Sequence, residues 1–141
     1  MKICGIELKG NDAVICLMLF EEGLYTLLEC RVKKISISDA TDQQQLQKFQ
    51  FEFAKLMADY QVDRVVIKER MTRGKFAGGS VSFKLEASIQ LIEKLNVTLL
   101  SSAKIKETLK NSDTSMNFND TGLKQFQEQA FVTGFAYLEN R

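Results

Sequence analysis

Residues Ala13 to Phe20 form a nearly continuous apolar run, bracketed by Lys9-Gly10-Asn11-Asp12 and by Glu21-Glu22-Gly23. A run of that length between two short turn signals reads as a strand buried on both faces. The glycines and Asn11 supply residues that tolerate positive φ in tight turns. A first strand over residues 2–8 and a third from Leu24 to Ile37 must therefore lie on either side of it. The second half of the third strand, Arg31-Val32-Lys33-Lys34-Ile35-Ser36-Ile37, alternates and carries lysines, as an edge strand does. The chain thus opens as a three-stranded antiparallel meander.

Strands and helices then alternate. Leu46, Phe49, Phe53, Leu56, Met57 and Tyr60 recur at helical spacing between Asp42 and Gln61, behind capping candidates in Ser38-Asp39-Ala40-Thr41. A fourth strand follows from Arg64 to Glu69. Arg70 to Gly79 is a polar loop. Ser80 or Ser82 caps a second helix carrying Val81, Leu85, Ile89, Ile92 and Leu95. Val97 to Leu100 is a fifth strand, and Ser101-Ser102 caps a short helix through Leu109. Asn111 to Asp120 is irregular, and Asn119 or Thr121 caps a last helix to about Leu138. No repeat or linker divides residues 1–141, so one α/β domain is expected. Its five-stranded mixed sheet combines the meander with two parallel strands and is flanked by helices. A helical crossover into a parallel strand is right-handed.

Composition narrows the chemistry. The chain has no histidine, which excludes Ser-His and Cys-His triads and His-ligated zinc within it. It has no proline, so Gly, Asn, Asp and Ser make its turns. A net charge of +1 announces no global field, and any nucleic-acid contact must come from a local patch. No apolar run is long enough for a membrane span, and Met1-Lys2-Ile3 does not open a signal peptide. Cys4, Cys16 and Cys30 lie in apolar stretches and read as buried reduced thiols, which makes the cytoplasm the expected compartment.

Two apolar runs lead to a glutamate: Ile3-Cys4-Gly5-Ile6-Glu7 and Val65-Val66-Ile67-Lys68-Glu69. By strand alternation Glu7 shares a face with Ile3 and Gly5, and Glu69 shares one with Val65 and Ile67. If the first and fourth strands are parallel neighbours, both carboxylates stand at one sheet edge about 5 Å apart, where a metal or a shared proton would relieve them. Ligands of such sheets bind beyond the carboxyl ends of the strands. The bland alternative is ion pairing, of Glu69 with Lys68 or Arg70 and of Glu7 with Lys9.

Gly5-Ile6-Glu7 with the hairpin partner Val14-Ile15-Cys16-Leu17 resembles the opening of Holliday-junction resolvases in the ribonuclease H-like superfamily. Val66-Ile67-Lys68-Glu69-Arg70, followed by a basic loop and Phe83-Lys84-Leu85-Glu86-Ala87, resembles the segment that carries their second acid. Gln127-Glu128-Gln129-Ala130-Phe131 resembles the helix that closes their acidic site. The chain also resembles a family of short bacterial proteins without an established activity. The resolvase resemblance implies Mg2+ or Mn2+ held by Glu7, Glu69 and Glu128, and metal-dependent hydrolysis of structured nucleic acid with these three as catalytic residues. The last helix departs from the pattern, with Glu128 between two glutamines where one or two more carboxylates are expected. Gln127 falls inside the packed stripe of that helix and Glu128 at its edge. The alternative is a non-catalytic module on the same fold that binds nucleic acid or a protein. A homodimer is open under either reading.

Lys68, Arg70, Arg73, Lys75 and Lys84 cluster within one loop and helix start, with Phe76 among them. Such a cluster grips a nucleic-acid backbone, and Phe76 is placed to stack a base. The bland alternative is a solvated loop, with Phe76 tucked into the core.

Overall fold

The computed structural model describes residues 1–75, 77–114 and 116–141. Its six-stranded sheet is built from β1 (Lys2–Lys9), β2 (Asp12–Glu21), β3 (Leu24–Leu28), β4 (Lys34–Ser36), β5 (Arg64–Lys68) and β6 (Val97–Leu100). The strand order is β3-β2-β1-β5-β6, with β4 also on β2. β1 pairs with β2 antiparallel and with β5 parallel, and β5 pairs with β6 parallel. The mixed sheet and its topology are those expected. Glu22 and Gly23 turn the chain between β2 and β3 with φ of 52° and 78°. Two consecutive positive angles match the right-handed twist of the flanking strands.

The third strand departs from expectation. Instead of one strand from Leu24 to Ile37, β3 and β4 pair with opposite ends of β2 and leave a gap at residues 29–33. Within the gap, Lys33 O still accepts from Ile15 N at 2.9 Å. The Ile15 carbonyl takes the side-chain amide of Gln127 instead, at 3.0 Å. A buried strand carbonyl must be satisfied by some donor, and a helix side chain does it here.

The helices are α1 (Gln43–Asp59), α2 (Ser80–Gln90), α3 (Ser102–Asn111) and α4 (Glu128–Glu139). Asp42 caps α1 by accepting from Gln44 N at 3.1 Å, and Ser101 caps α3 by accepting from Lys104 N at 3.1 Å. Neither serine caps α2, whose N-cap is Gly79. The last helix starts later than its apolar spacing suggests. Two 3-10 turns, Phe118–Asp120 and Gln125–Gln127, precede it.

The sheet has a core on each side. Cys4, Ile6, Leu8, Val65 and Ile67 pack with Phe49, Phe53, Leu56 and Met57 of α1 and Leu85 and Ile89 of α2. Ile3, Val14, Cys16, Met18 and Val66 pack with Ala130, Phe131, Phe135 and Leu138 of α4. Burying one such side chain stabilises by about 1.5–3 kcal/mol. The parity of β1 and β5 is thereby assigned: Ile3 and Val66 face α4, while Cys4, Val65 and Ile67 face α1 and α2. No helix among the described residues is long and apolar enough to cross a membrane.

Candidate functional site

β1 and β5 end at the same sheet edge, beside the start of β2 and the N-terminus of α4. Their register pairs Ile3 with Arg64, Gly5 with Val66 and Ile6 with Ile67. One step further along the same register, Glu7 lies beside Lys68. Both residues belong to the α4 face, Glu7 with Ile3 and Gly5, and Lys68 with Val66. The Lys68 ammonium confirms the direction by donating to Gln129 Oε1 of α4 at 2.9 Å.

The expected juxtaposition of Glu7 with Glu69 is therefore replaced by one of Glu7 with Lys68. Glu69 falls one residue past the end of β5, at the parity of the opposite face. Its backbone N–H prolongs the pairing with β6 by donating to Leu100 O at 2.9 Å. Its side chain is exposed, and its charge is felt by Glu86 of α2. Burial is the first cause that pushes the Glu86 carboxyl up from its ordinary value, and the neighbouring Glu69 adds to it. Glu86 Oε2 is buried without a hydrogen-bond partner among the described residues, as is Arg70 Nε.

Glu7 is half-buried and makes no ion pair or hydrogen bond among the described residues. The salt bridge to Lys9 is not formed. Glu128 occupies the first turn of α4, where a negative charge favours the helix dipole, and accepts from Gln125 Nε2 at 3.1 Å. It opens onto the cleft between α4 and residues 116–119. Gln127 is buried in the packed stripe, as its spacing indicates, and its Oε1 also accepts from Lys124 N at 3.0 Å.

Two of the basic residues are seen to be anchored to the fold. Lys84 is tied to the fold by a bond from its ammonium to Ala40 O at 2.9 Å. Arg70 packs against the loop so closely that a Cβ on Gly78 would meet its Nε at 2.8 Å. Arg73 and Lys75 are exposed. Phe76 lies outside the described residues. Sequence reasoning missed further residues at this edge. Lys34 of β4 sits over the ring of Phe126 at 5.7 Å and pairs with Asp12 at 3.6 Å, while Lys124 precedes α4. A period-two count from Val66 singles out Lys68, but not Gln129, Lys34 or Phe126.

A dication asks for converging oxygens carrying negative charge. Among the described residues, Glu7, Lys68 and Gln129 bring one carboxylate, one ammonium and one amide together on the α4 face. Among the described residues, no group of three or more Asp, Glu, Cys or His side chains could hold a metal ion. The Mg2+ or Mn2+ implied by the resolvase resemblance does not fit this donor set.

The family model described as "Protein of unknown function (DUF3010)" matches residues 1–137. The chain belongs to this family. No curated protein matches the sequence. Among solved structures, this member of the family is similar to Thermus thermophilus RuvC, at a TM-score of 0.76 and 8% identity, over 99% of this chain and 94% of that one. It is similar to T. thermophilus RuvC in complex with a Holliday junction substrate, at 0.69 and 8%, over 99% and 93%. It is also similar to the Fowlpox virus resolvase in complex with Holliday junction DNA, at 0.55 and 14%, over 99% and 98%. Identities this low speak for the fold. The family member has the RuvC-type, ribonuclease H-like architecture from end to end.

Proposed function

We propose that this protein binds structured nucleic acid, branched DNA in the first instance, across the edge where β1 and β5 end. The observation that carries this reading is the basic rim of that edge. Lys68 of β5, Lys34 of β4 and Lys124 before α4 stand at that edge, and the exposed Arg73 and Lys75 belong to the loop that leaves β5 there, in a near-neutral chain. Phosphate contacts supply most of the affinity for nucleic acid, and lysines and arginines on several elements register a backbone without reading its sequence. The likeness of the whole chain to two resolvases solved with Holliday junctions supports branched DNA as the first ligand to test.

Metal-dependent hydrolysis by Glu7, Glu69 and Glu128 is the second reading. The half-buried, unpartnered carboxylate of Glu7 favours it, and the placement of Glu69 and the Lys68–Gln129 bond weigh against it. The test is a titration with a four-way DNA junction and a linear duplex of the same sequence at two salt concentrations, with a parallel cleavage assay in Mn2+. Tighter binding of the junction, falling with salt and without strand scission, supports the binding module. Cleavage that disappears in Glu7→Gln would establish the hydrolase instead, and no salt-dependent binding of either DNA would remove the nucleic-acid reading.

A further inference from the structure

We infer that Lys68 supplies the positive charge of this site, so that a phosphate group is received there by an ammonium rather than by a divalent cation. The inference rests on the nucleic-acid reading for its ligand, and on geometry alone for the charge. The β1–β5 register sets Lys68 next to Glu7 on the α4 face, where neighbouring strands lie about 5 Å apart. Gln129 holds the ammonium from the helix side at 2.9 Å. A lysine has three donors. Gln129 takes one, and the other two have no acceptor among the described residues. An amide oxygen orients the ammonium without neutralising it, so the positive charge stays available to an incoming anion. Glu7 forms no ion pair with it at this spacing, and the two charges flank the edge side by side.

The arrangement also explains the chemistry of the neighbouring helix. A carboxylate at position 129 would pair with Lys68 and cancel its charge. Glutamine keeps the geometry and preserves the charge. A lysine binds phosphate as a point charge on a flexible stem, which suits a backbone contact that carries no sequence information.

The experiment has two arms. In the first, thermal melts are run with EDTA and with Mn2+ on wild type, Glu7→Gln and Lys68→Glu. Mn2+ is expected to leave the melting temperature of wild type and Glu7→Gln unchanged. It is expected to raise that of Lys68→Glu by several degrees, because a second carboxylate then stands beside Glu7. A Mn2+-induced rise in wild type that Glu7→Gln abolishes would overturn the inference. In the second arm, junction binding is measured against salt in EDTA for wild type and Lys68→Gln, which keeps the fold if Lys68→Glu does not. Wild-type affinity is expected to be no tighter when Mg2+ replaces EDTA, because the dication only competes for the phosphates. Lys68→Gln should bind several-fold more weakly, with the slope of log K against log salt reduced by about one. Full affinity and slope in Lys68→Gln would overturn it. If wild type binds no DNA, the nucleic-acid reading fails, and the Mn2+ melts still decide whether Lys68 is the resident cation.

Discussion

Gly5 of β1 lies against Gly134 of α4 with no room for a side chain between them. A Cβ on Gly5 would collide with the carbonyl of Ala130 and stand 3.0 Å from the backbone nitrogen of Gly134. The helix can seat this low because both contacting residues lack a Cβ. That close approach brings Gln129, one residue before Ala130, within reach of Lys68. Gly5→Ala should therefore lower stability by about 1–3 kcal/mol, the usual cost of overpacking a filled core. Urea unfolding measures it, and an unchanged midpoint would mean that α4 lifts away from β1 at no cost.

The C-terminal end of α4 is tied down by Glu139, which accepts from Ser112 Oγ, Thr114 Oγ1 and the Tyr25 hydroxyl. Burial pulls the Glu139 carboxyl up, but the three hydroxyl donors outweigh it and hold the value below the ordinary 4.5. A depressed carboxylate stabilises the fold above its unfolded value, and that contribution is lost as pH falls through the folded value. Wild type should thus be more stable than Glu139→Gln at neutral pH, and the gap should close on acidification below about pH 4.5. Melting curves over a pH series test it. A gap that persists in acid would assign the effect to packing rather than charge.

Glu86 has the opposite sign. Burial first, and then the charge of Glu69, raises its carboxyl above the ordinary value. A raised carboxyl favours the folded state at low pH and weakens it as pH rises through the folded value. Glu86→Gln should accordingly raise the melting temperature at neutral pH and make little difference in acid. A lower melting temperature at neutral pH would show that the Glu86 charge is held by Arg70 more firmly than burial opposes it.

Charge reversal at Arg73 and Lys75 separates contact from solvation in the exposed loop. If the loop grips the backbone, Arg73→Glu with Lys75→Glu weakens junction binding and lowers the salt slope by about two, close to one for each phosphate no longer neutralised. Fluorescence anisotropy at several salt concentrations reads both quantities. Unchanged affinity and slope would remove the loop from the interface and leave Lys34, Lys68 and Lys124 to hold the DNA.

The layers of this protein are legible in its residues. The doubly apolar run Ala13 to Phe20, the turns around it and the helical spacing from Leu46 to Tyr60 each follow from short-range periodicity and turn chemistry, which neighbouring residues settle among themselves. They led to the meander and the crossover, while the pairing of β1 with β5, a long-range contact, is seen in the sheet itself. Tertiary structure decided which face of β5 meets α4. Val65, Val66 and Ile67 are all apolar, so the run suits either parity, and only packing against α4 turns Val66 inward and carries Lys68 with it. That single-residue difference exchanges a carboxylate for an ammonium beside Glu7, because side chains in a strand alternate. The break between β3 and β4 was decided the same way. Gln127, distant in sequence from Ile15, satisfies the strand carbonyl that a continuous edge strand would have taken.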